Sequence, residues 1–180
     1  MARAAAGRFV LDRVLFIPSA RPPHRREGPF ASYEDRFQMV SLACQEDPRF
    51  EASRLEAGPE ISYSIDTIER VSRAFASKPL YFLLGADAFA DLPTWHRHHD
   101  VIEAVTFIVV SRPSAQYRIP PGARVERLED VSLAVSSSEI RRELALDHAS
   151  THIPPAVAEY IGTHSLYTAR GDREPPPTEP

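Results

Sequence analysis

Short apolar runs alternate with longer segments of helical periodicity along most of the chain. Val14–Ile17 is continuous, apolar and closed by Pro18, which predicts a strand buried on both faces. After a loop of Pro, Arg and His, Ser32-Tyr33-Glu34-Asp35 resembles a capping box. Phe37, Val40 and Cys44 follow at i, i+3, i+7 spacing, predicting a helix over Ser32–Gln45. Phe50–Ser53 reads as a second strand, and Ala57–Ile61 is rich in turn residues. Ser64 is a good N-cap type with Ile68, Val71 and Phe75 on one face behind it, so a helix is expected to about Ala76. Leu80–Leu84 is a further apolar strand, ended by Gly85 and followed by the Ala-rich helix Ala86–Leu92. A short helix near Val101–Ala104 leads into the strand Thr106–Ser111, stopped at Arg112-Pro113. Ser137–Leu146 is a capped helix, and Pro154–Gly162 is another, with Pro in its first turn and Gly at its end.

Strands alternating with helices in this way predict an α/β fold, a parallel sheet covered by helices on both faces. Met1–Val10 is rich in Ala and Arg, lacks acids and runs through Leu11-Asp12 straight into an apolar strand. It reads as the second half of a helix feeding that strand rather than as a transit peptide, which would carry serines. The length of 180 residues suits one domain, assigned here to residues 1–167, with the polar, proline-rich residues 168–180 expected to be disordered.

Composition narrows the function. Hydrophobic residues are 43% and charged residues 26%, as in an ordinary soluble protein. A formal net charge of −4 sets up no field for polyanions, so no nucleic-acid partner is expected and any bound phosphate must be held locally. The apolar runs fall short of the roughly 20 residues of a spanning helix, so no membrane association is expected. The single cysteine, Cys44, fits a reducing, cytoplasmic compartment and reads as a small core residue. The oligomeric state is left open, a homo-oligomer included.

In open α/β sheets ligands bind at the carboxyl ends of the strands, and four such places carry chemistry. Arg21-Pro22-Pro23-His24-Arg25-Arg26 is a proline-stiffened loop of cations beyond the first strand, suited to a phosphate, although a solvated basic loop explains it equally. Ser62-Tyr63-Ser64-Ile65-Asp66-Thr67 opens a helix whose free N–H groups suit a carboxylate or other anion, while plain capping accounts for the same hydroxyls. Gly85-Ala86-Asp87 with Leu92-Pro93-Thr94-Trp95 offers close backbone approach, an acceptor for ribose hydroxyls and an indole for a flat ring. Ser136-Ser137-Ser138-Glu139-Ile140-Arg141 gathers hydroxyls, helix N–H groups and a guanidinium, the donors of a polyphosphate site. His96, His98 and His99 have no converging metal spacing and read as a solvated cluster. No zinc pattern, nucleophile elbow, Walker loop or G-x-G-x-x-G is present, and no covalent nucleophile is indicated.

Taken in order, Phe16-Ile17-Pro18 with Pro22-Pro23-His24, the Ser62–Thr67 segment, Gly85-Ala86-Asp87 with Leu92–Trp95, Arg112-Pro113, Ser136–Arg141, Tyr160-Ile161 and Leu166-Tyr167 resemble a known family. It is the bacterial nicotinate-nucleotide adenylyltransferases, Rossmann-like members of the nucleotidyltransferase superfamily. The resemblance implies AMP transfer from ATP to nicotinate mononucleotide with Mg²⁺, giving nicotinate adenine dinucleotide and pyrophosphate, a step of NAD biosynthesis. It further implies that the Ser64 and Asp66 segment holds the nicotinate carboxylate, that Trp95 stacks near the pyridine ring and that His24 and Arg25 lie near the mononucleotide phosphate. Gly85 and Asp87 would meet the nucleotide sugar, and Ser136, Ser137, Ser138 and Arg141 the ATP phosphates.

The chain departs from the family pattern at Ser64 and Ser138, where Thr is usual, and at Arg25, where Lys is common. Its largest departure is the lack of the strand and Gly-Gly-Thr-Phe-Asp-Pro-x-His-x-Gly-His turn with which the family begins. Loss of comparable electrostatic donors costs on the order of 10²–10³ in rate, so this chain is expected to be inactive or impaired, with the natural protein extending upstream by roughly 20 residues. The alternatives are adenylyl transfer to nicotinamide mononucleotide or phosphopantetheine, and a non-catalytic nucleotide-binding domain that binds ATP without releasing pyrophosphate.

Overall fold

A computed structural model describes residues 1–21, 31–58, 61–76, 78–111, 117–129, 136–147 and 150–168. The parallel strands are set by their apolar runs. β1 (Val14–Phe16) pairs with β2 (Phe50–Ala52), Val14 opposite Phe50. β3 (Tyr81–Gly85), β4 (Thr106–Val110) and β5 (Arg124–Leu128) form a second parallel sheet in which Phe107 lies opposite both Phe82 and Val125. Among the described residues the strands thus fall into two sheets rather than one. β1, expected to be buried on both faces, is half-buried along its length, because β2 is its only ladder partner there.

β4 explains why helices cover both faces of the larger sheet. Its side chains alternate, and every position from Phe107 to Val110 is buried. Phe107 and Val109 point into a core with Ile65 and Ile68 of α3 (Ser64–Ala74), Phe89 of α4 (Ala86–Ala90), Leu92, and Val101 and Ile102 of α5 (His98–Ala104). Ile108 and Val110 pack on the other face with Leu128 and with Ala5 of α1 (Ala2–Arg8). A third cluster joins Met39 and Leu42 of α2 (Tyr33–Cys44) to Leu144 of α6 (Ser137–Asp147) and to Val157 and Ile161 of α7 (Pro155–Thr163). No described helix is long and apolar enough to cross a membrane.

The helix termini bear out one expectation and correct two. α2 is capped as its sequence predicts, Ser32 Oγ accepting from the Asp35 N–H at 3.1 Å. α3 is not capped by Ser64, which is its first helical residue; Tyr63 holds the cap position and its side chain makes no capping bond. α7 does not stop at Gly162. It runs one residue further and closes with a left-handed Ser165, whose successor Leu166 donates back to the Ile161 carbonyl at 3.0 Å. β5 has no counterpart among the predicted strands, since Arg-Val-Glu-Arg-Leu carries too few apolar positions to signal one.

α1 ends in the same motif, with Leu11 donating to the Ala6 carbonyl at 3.0 Å and Val10 in the left-handed position at φ 50°. A β-branched residue there costs roughly 1–2 kcal/mol, and Val10 is 84% exposed, so its side chain gains little in return. Val10→Gly is expected to stabilise the protein by about 0.5–1 kcal/mol in urea denaturation, net of glycine's greater unfolded-state entropy. A lower midpoint for the variant would contradict the left-handed geometry.

The turn from α2 into β2 is fastened by Asp47, whose carboxylate accepts from Arg49 N at 3.1 Å, Nε at 2.9 Å and Nη2 at 2.7 Å. The guanidinium and backbone N–H of Arg49 hold its carboxyl down at about 2. The two bonds from the Arg54 guanidinium and one from Gln38 hold Glu34 at about 2 as well. A depressed carboxylate contributes stability that is complete above its unfolded value near 4 and is lost as pH falls toward 2. The thermal midpoint is therefore expected to fall between about pH 5 and pH 2.5, and Asp47→Asn to flatten that decline. An equally steep decline in the variant would assign the acid sensitivity elsewhere.

Candidate active site

Two of the four sequence-derived places, the α3 entry and the Gly85–Trp95 segment, meet beside the carboxyl end of β3, and Arg21, the one described residue of the first place, is bonded to the α3 entry. The loop after β1 is tied to the segment before α3 by a reciprocal pair. Ser62 N–H donates to the Arg21 carbonyl at 3.1 Å, and Arg21 N–H donates to Ser62 Oγ at 3.4 Å. On the far side of that segment the Tyr63 ring lies against His96, with centroids 4.4 Å apart and planes tilted by 35°. His96 is exposed, as expected of a solvated cluster, and its ring also rests on the α3 entry, because the turn after Trp95 folds back toward it. The start of α3 is joined to Arg21 through Ser62 and to the Trp95 turn through Tyr63, and its first-turn N–H groups have no side-chain cap.

Trp95 is held from below. Leu92–Thr94 forms a 3-10 turn, closed by Trp95 N–H to the Leu92 carbonyl at 3.0 Å, so the predicted helix Ala86–Leu92 ends early, at Ala90. Leu92 is fully buried and anchors the turn, while Trp95 is half-buried and meets Phe82 edge-on at 5.9 Å. The residue after His96 is Arg97, in a left-handed conformation at φ 52° that costs a non-glycine residue roughly 1–2 kcal/mol. Its guanidinium bonds Asp100 Oδ2 at 2.6 Å and Glu69 Oε1 of α3 at 3.0 Å.

At the end of β3, Gly85 leads into α4, and a Cβ placed on it would meet no atom within 4 Å. Its lack of a side chain leaves open space rather than relieving a clash. Asp87 is exposed two residues on, beside that opening.

The fourth place is built differently. Ser136 and Glu139 form a full capping box for α6: Ser136 Oγ accepts from Glu139 N–H at 3.2 Å, and Glu139 accepts from Ser136 N–H at 2.6 Å. The Ser136 backbone N–H, with its side chain, holds the Glu139 carboxyl below its usual range. Arg141 Nη2 donates to Ser138 Oγ at 3.2 Å, and Ser137 and Ser138 are exposed. The buried face of α6 packs on α2 and α7, and no described hydrogen bond or packing contact brings its start against the Trp95 group.

His24, Arg25 and Arg112-Pro113 lie outside the described residues, as do residues 169–180. The chain on either side of residues 22–30 is gathered by Arg36 of α2, which donates to the carbonyls of Ser19 at 2.6 Å, Ala20 at 3.5 Å and Ala31 at 3.3 Å. Arg36 and Arg97 were not distinguishable in the sequence from ordinary surface arginines. Cys44 is buried as expected, and burial, with Glu51 nearby, pushes its thiol up. Among the described residues no group of three or more His, Cys, Asp or Glu side chains could hold a metal ion.

The cytidylyltransferase-like family profile matches residues 1–143. A "probable nicotinate-nucleotide adenylyltransferase" of Solibacter usitatus is 53% identical over 92% of this chain and 89% of that protein. One of the same name from Thermus thermophilus is 42% identical over 87% of this chain and 84% of its own length. Among solved structures, the Plasmodium falciparum nicotinic acid mononucleotide adenylyltransferase complexed with NaAD superposes with a TM-score of 0.67, covering 90% of each chain at 19% identity, a likeness of fold.

Proposed function

We propose, on the premise that this chain belongs to the cytidylyltransferase-like family and within it to the nicotinate-nucleotide adenylyltransferases, that it transfers AMP from ATP to nicotinate mononucleotide, a step of NAD biosynthesis. A phosphate oxygen of the mononucleotide attacks the α-phosphorus of ATP. As that P–O bond forms, the bond to the bridging oxygen of pyrophosphate breaks, and the products are nicotinate adenine dinucleotide and pyrophosphate.

The observation that carries the acceptor assignment is the pairing of Trp95 with the uncapped start of α3, linked through Tyr63 and His96. A flat ring with a carboxylate at its edge satisfies both at once: the indole covers the ring, and the first-turn N–H groups near Ser64 and Asp66 receive the charge. Nicotinamide and phosphopantetheine acceptors offer no anion at that point. In this reading His24 and Arg25 neutralise the mononucleotide phosphate, Gly85 admits the nucleotide closely and Asp87 accepts from a sugar hydroxyl. Ser136 is engaged in shaping the turn, so the ATP phosphate contacts fall on Ser137, Ser138 and Arg141. Mg²⁺, when bound, would be held chiefly by the ATP phosphates and would supply charge neutralisation on the leaving pyrophosphate.

The 180 residues contain no His-x-Gly-His, the donor set that the family resemblance places against the phosphates. Assayed beside the Solibacter relative with ATP, Mg²⁺ and nicotinate mononucleotide, it is expected to make nicotinate adenine dinucleotide and pyrophosphate on the order of 10²–10³ more slowly. Faster use of nicotinamide mononucleotide or phosphopantetheine would overturn the acceptor assignment. Saturable ATP binding with no dinucleotide formed from any acceptor would favour a purely nucleotide-binding role.

A further inference from the structure

The turn that carries Trp95 is attached to α3 at two points rather than one. His96 rests on Tyr63 at the helix entry, 4.4 Å between centroids, and Arg97 reaches Glu69, in the second turn of α3, at 3.0 Å. A single contact would act as a pivot about which the indole could swing; two contacts separated along a rigid helix fix both its distance and its angle to the helix start. Arg97 is a strained choice for this position, since its backbone is left-handed at φ 52°. Its two ion pairs, to Glu69 on α3 and to Asp100 on α5, hold that conformation and join the turn to two packed helices.

We propose that Arg97, through its Glu69 contact, is a positioning residue that sets the spacing between the Trp95 ring and the N–H groups at the start of α3, and so sets the preference for an acid over an amide mononucleotide. This rests on the acceptor reading above, because the spacing matters only if ring and carboxylate are gripped together. A carboxylate depends steeply on that spacing, since its charge must meet the helix N–H groups at hydrogen-bond distance, whereas ring stacking tolerates small displacements. Loosening the clamp therefore weakens the acid more than the amide. The arginine and the glutamate are both about two-fifths exposed, so the pair contributes little to overall stability and its removal leaves the fold standing.

Trp95 is the only tryptophan in the chain, so quenching of its fluorescence reports ligand binding directly. The experiment titrates the wild-type chain, Glu69→Gln, Arg97→Asn and Arg97→Lys with nicotinate mononucleotide and with nicotinamide mononucleotide. Asparagine tolerates the left-handed backbone, so Arg97→Asn removes the ion pairs without adding strain, and Glu69→Gln carries the test if that variant does not fold. Glu69→Gln and Arg97→Asn are expected to lose about 5- to 20-fold in affinity for the acid and less than about twofold for the amide. Trp95 anisotropy in the free protein should fall, and Arg97→Lys should keep most of the discrimination. An unchanged acid-to-amide ratio in both variants overturns the proposal while leaving the acceptor reading intact. Absence of saturable quenching by nicotinate mononucleotide in the wild-type chain overturns the acceptor reading and this proposal with it.

Discussion

Phe107→Ala is expected to cost about 3–5 kcal/mol of folding stability, lowering the thermal midpoint by roughly 6–20 °C. Phe107 is fully buried in the central strand of the larger sheet, paired on both sides. Its ring meets Phe89 at 5.2 Å and Phe82 at 6.3 Å, and Phe82 in turn supports Trp95. Truncation would leave a cavity that neighbours paired in a ladder cannot collapse to fill. Because the rings run in series from the core to the indole, the variant should also lower the Trp95 anisotropy at temperatures where it remains folded. Urea denaturation measures the first effect. A loss below about 1 kcal/mol would mean that the aromatic cluster repacks and that Trp95 is not supported through it.

Trp95→Ala is expected to weaken nicotinate mononucleotide binding by about 1–3 kcal/mol, roughly 5- to 150-fold in dissociation constant, the range measured for an aromatic side chain stacked on a heterocycle. ATP affinity should change by less than about twofold, since the phosphate contacts assigned to Ser137, Ser138 and Arg141 are on another helix. Calorimetric titration of both ligands separates these outcomes, and Trp95→Phe should retain part of the binding because it keeps a π face. Equal loss for both ligands would show that the indole acts through the fold. No loss for either would remove it from the acceptor site.

Much of the element order was legible because β3, β4 and α3 carry patterns long enough to exclude alternatives: two five-residue strands built on the apolar runs Phe82–Leu84 and Phe107–Val110, and an amphipathic helix with Ile65, Ile68 and Val71 on its buried face. β5 was illegible for the opposite reason. Its five residues are held by the ladder to β4, and of its side chains only Leu128 is buried, so most of the information specifying the strand resides in its neighbour. The helix ends were read less well. Ser64 and Gly162 are residue types that favour termini, but the ends are fixed by which backbone groups find partners, and these are Tyr63 at one helix and Ser165 at the other.

The candidate site divides along the same line. Serines, glycine, aspartate, tryptophan and arginine in their order determine the chemistry available, because functional groups and their approximate spacing are properties of the chain itself. Which of them meet is a property of packing. The reciprocal Arg21–Ser62 bonds, the His96 ring on Tyr63 and the Arg97–Glu69 pair join residues 28 to 41 positions apart in sequence, and no local pattern encodes such contacts. By itself the sequence determined the family, the alternation of strands and helices and the inventory of ligand-binding groups. Only the tertiary structure decided that the Trp95 turn is clamped onto α3, since that depends on β3 and α3 being brought together around the Phe107 core.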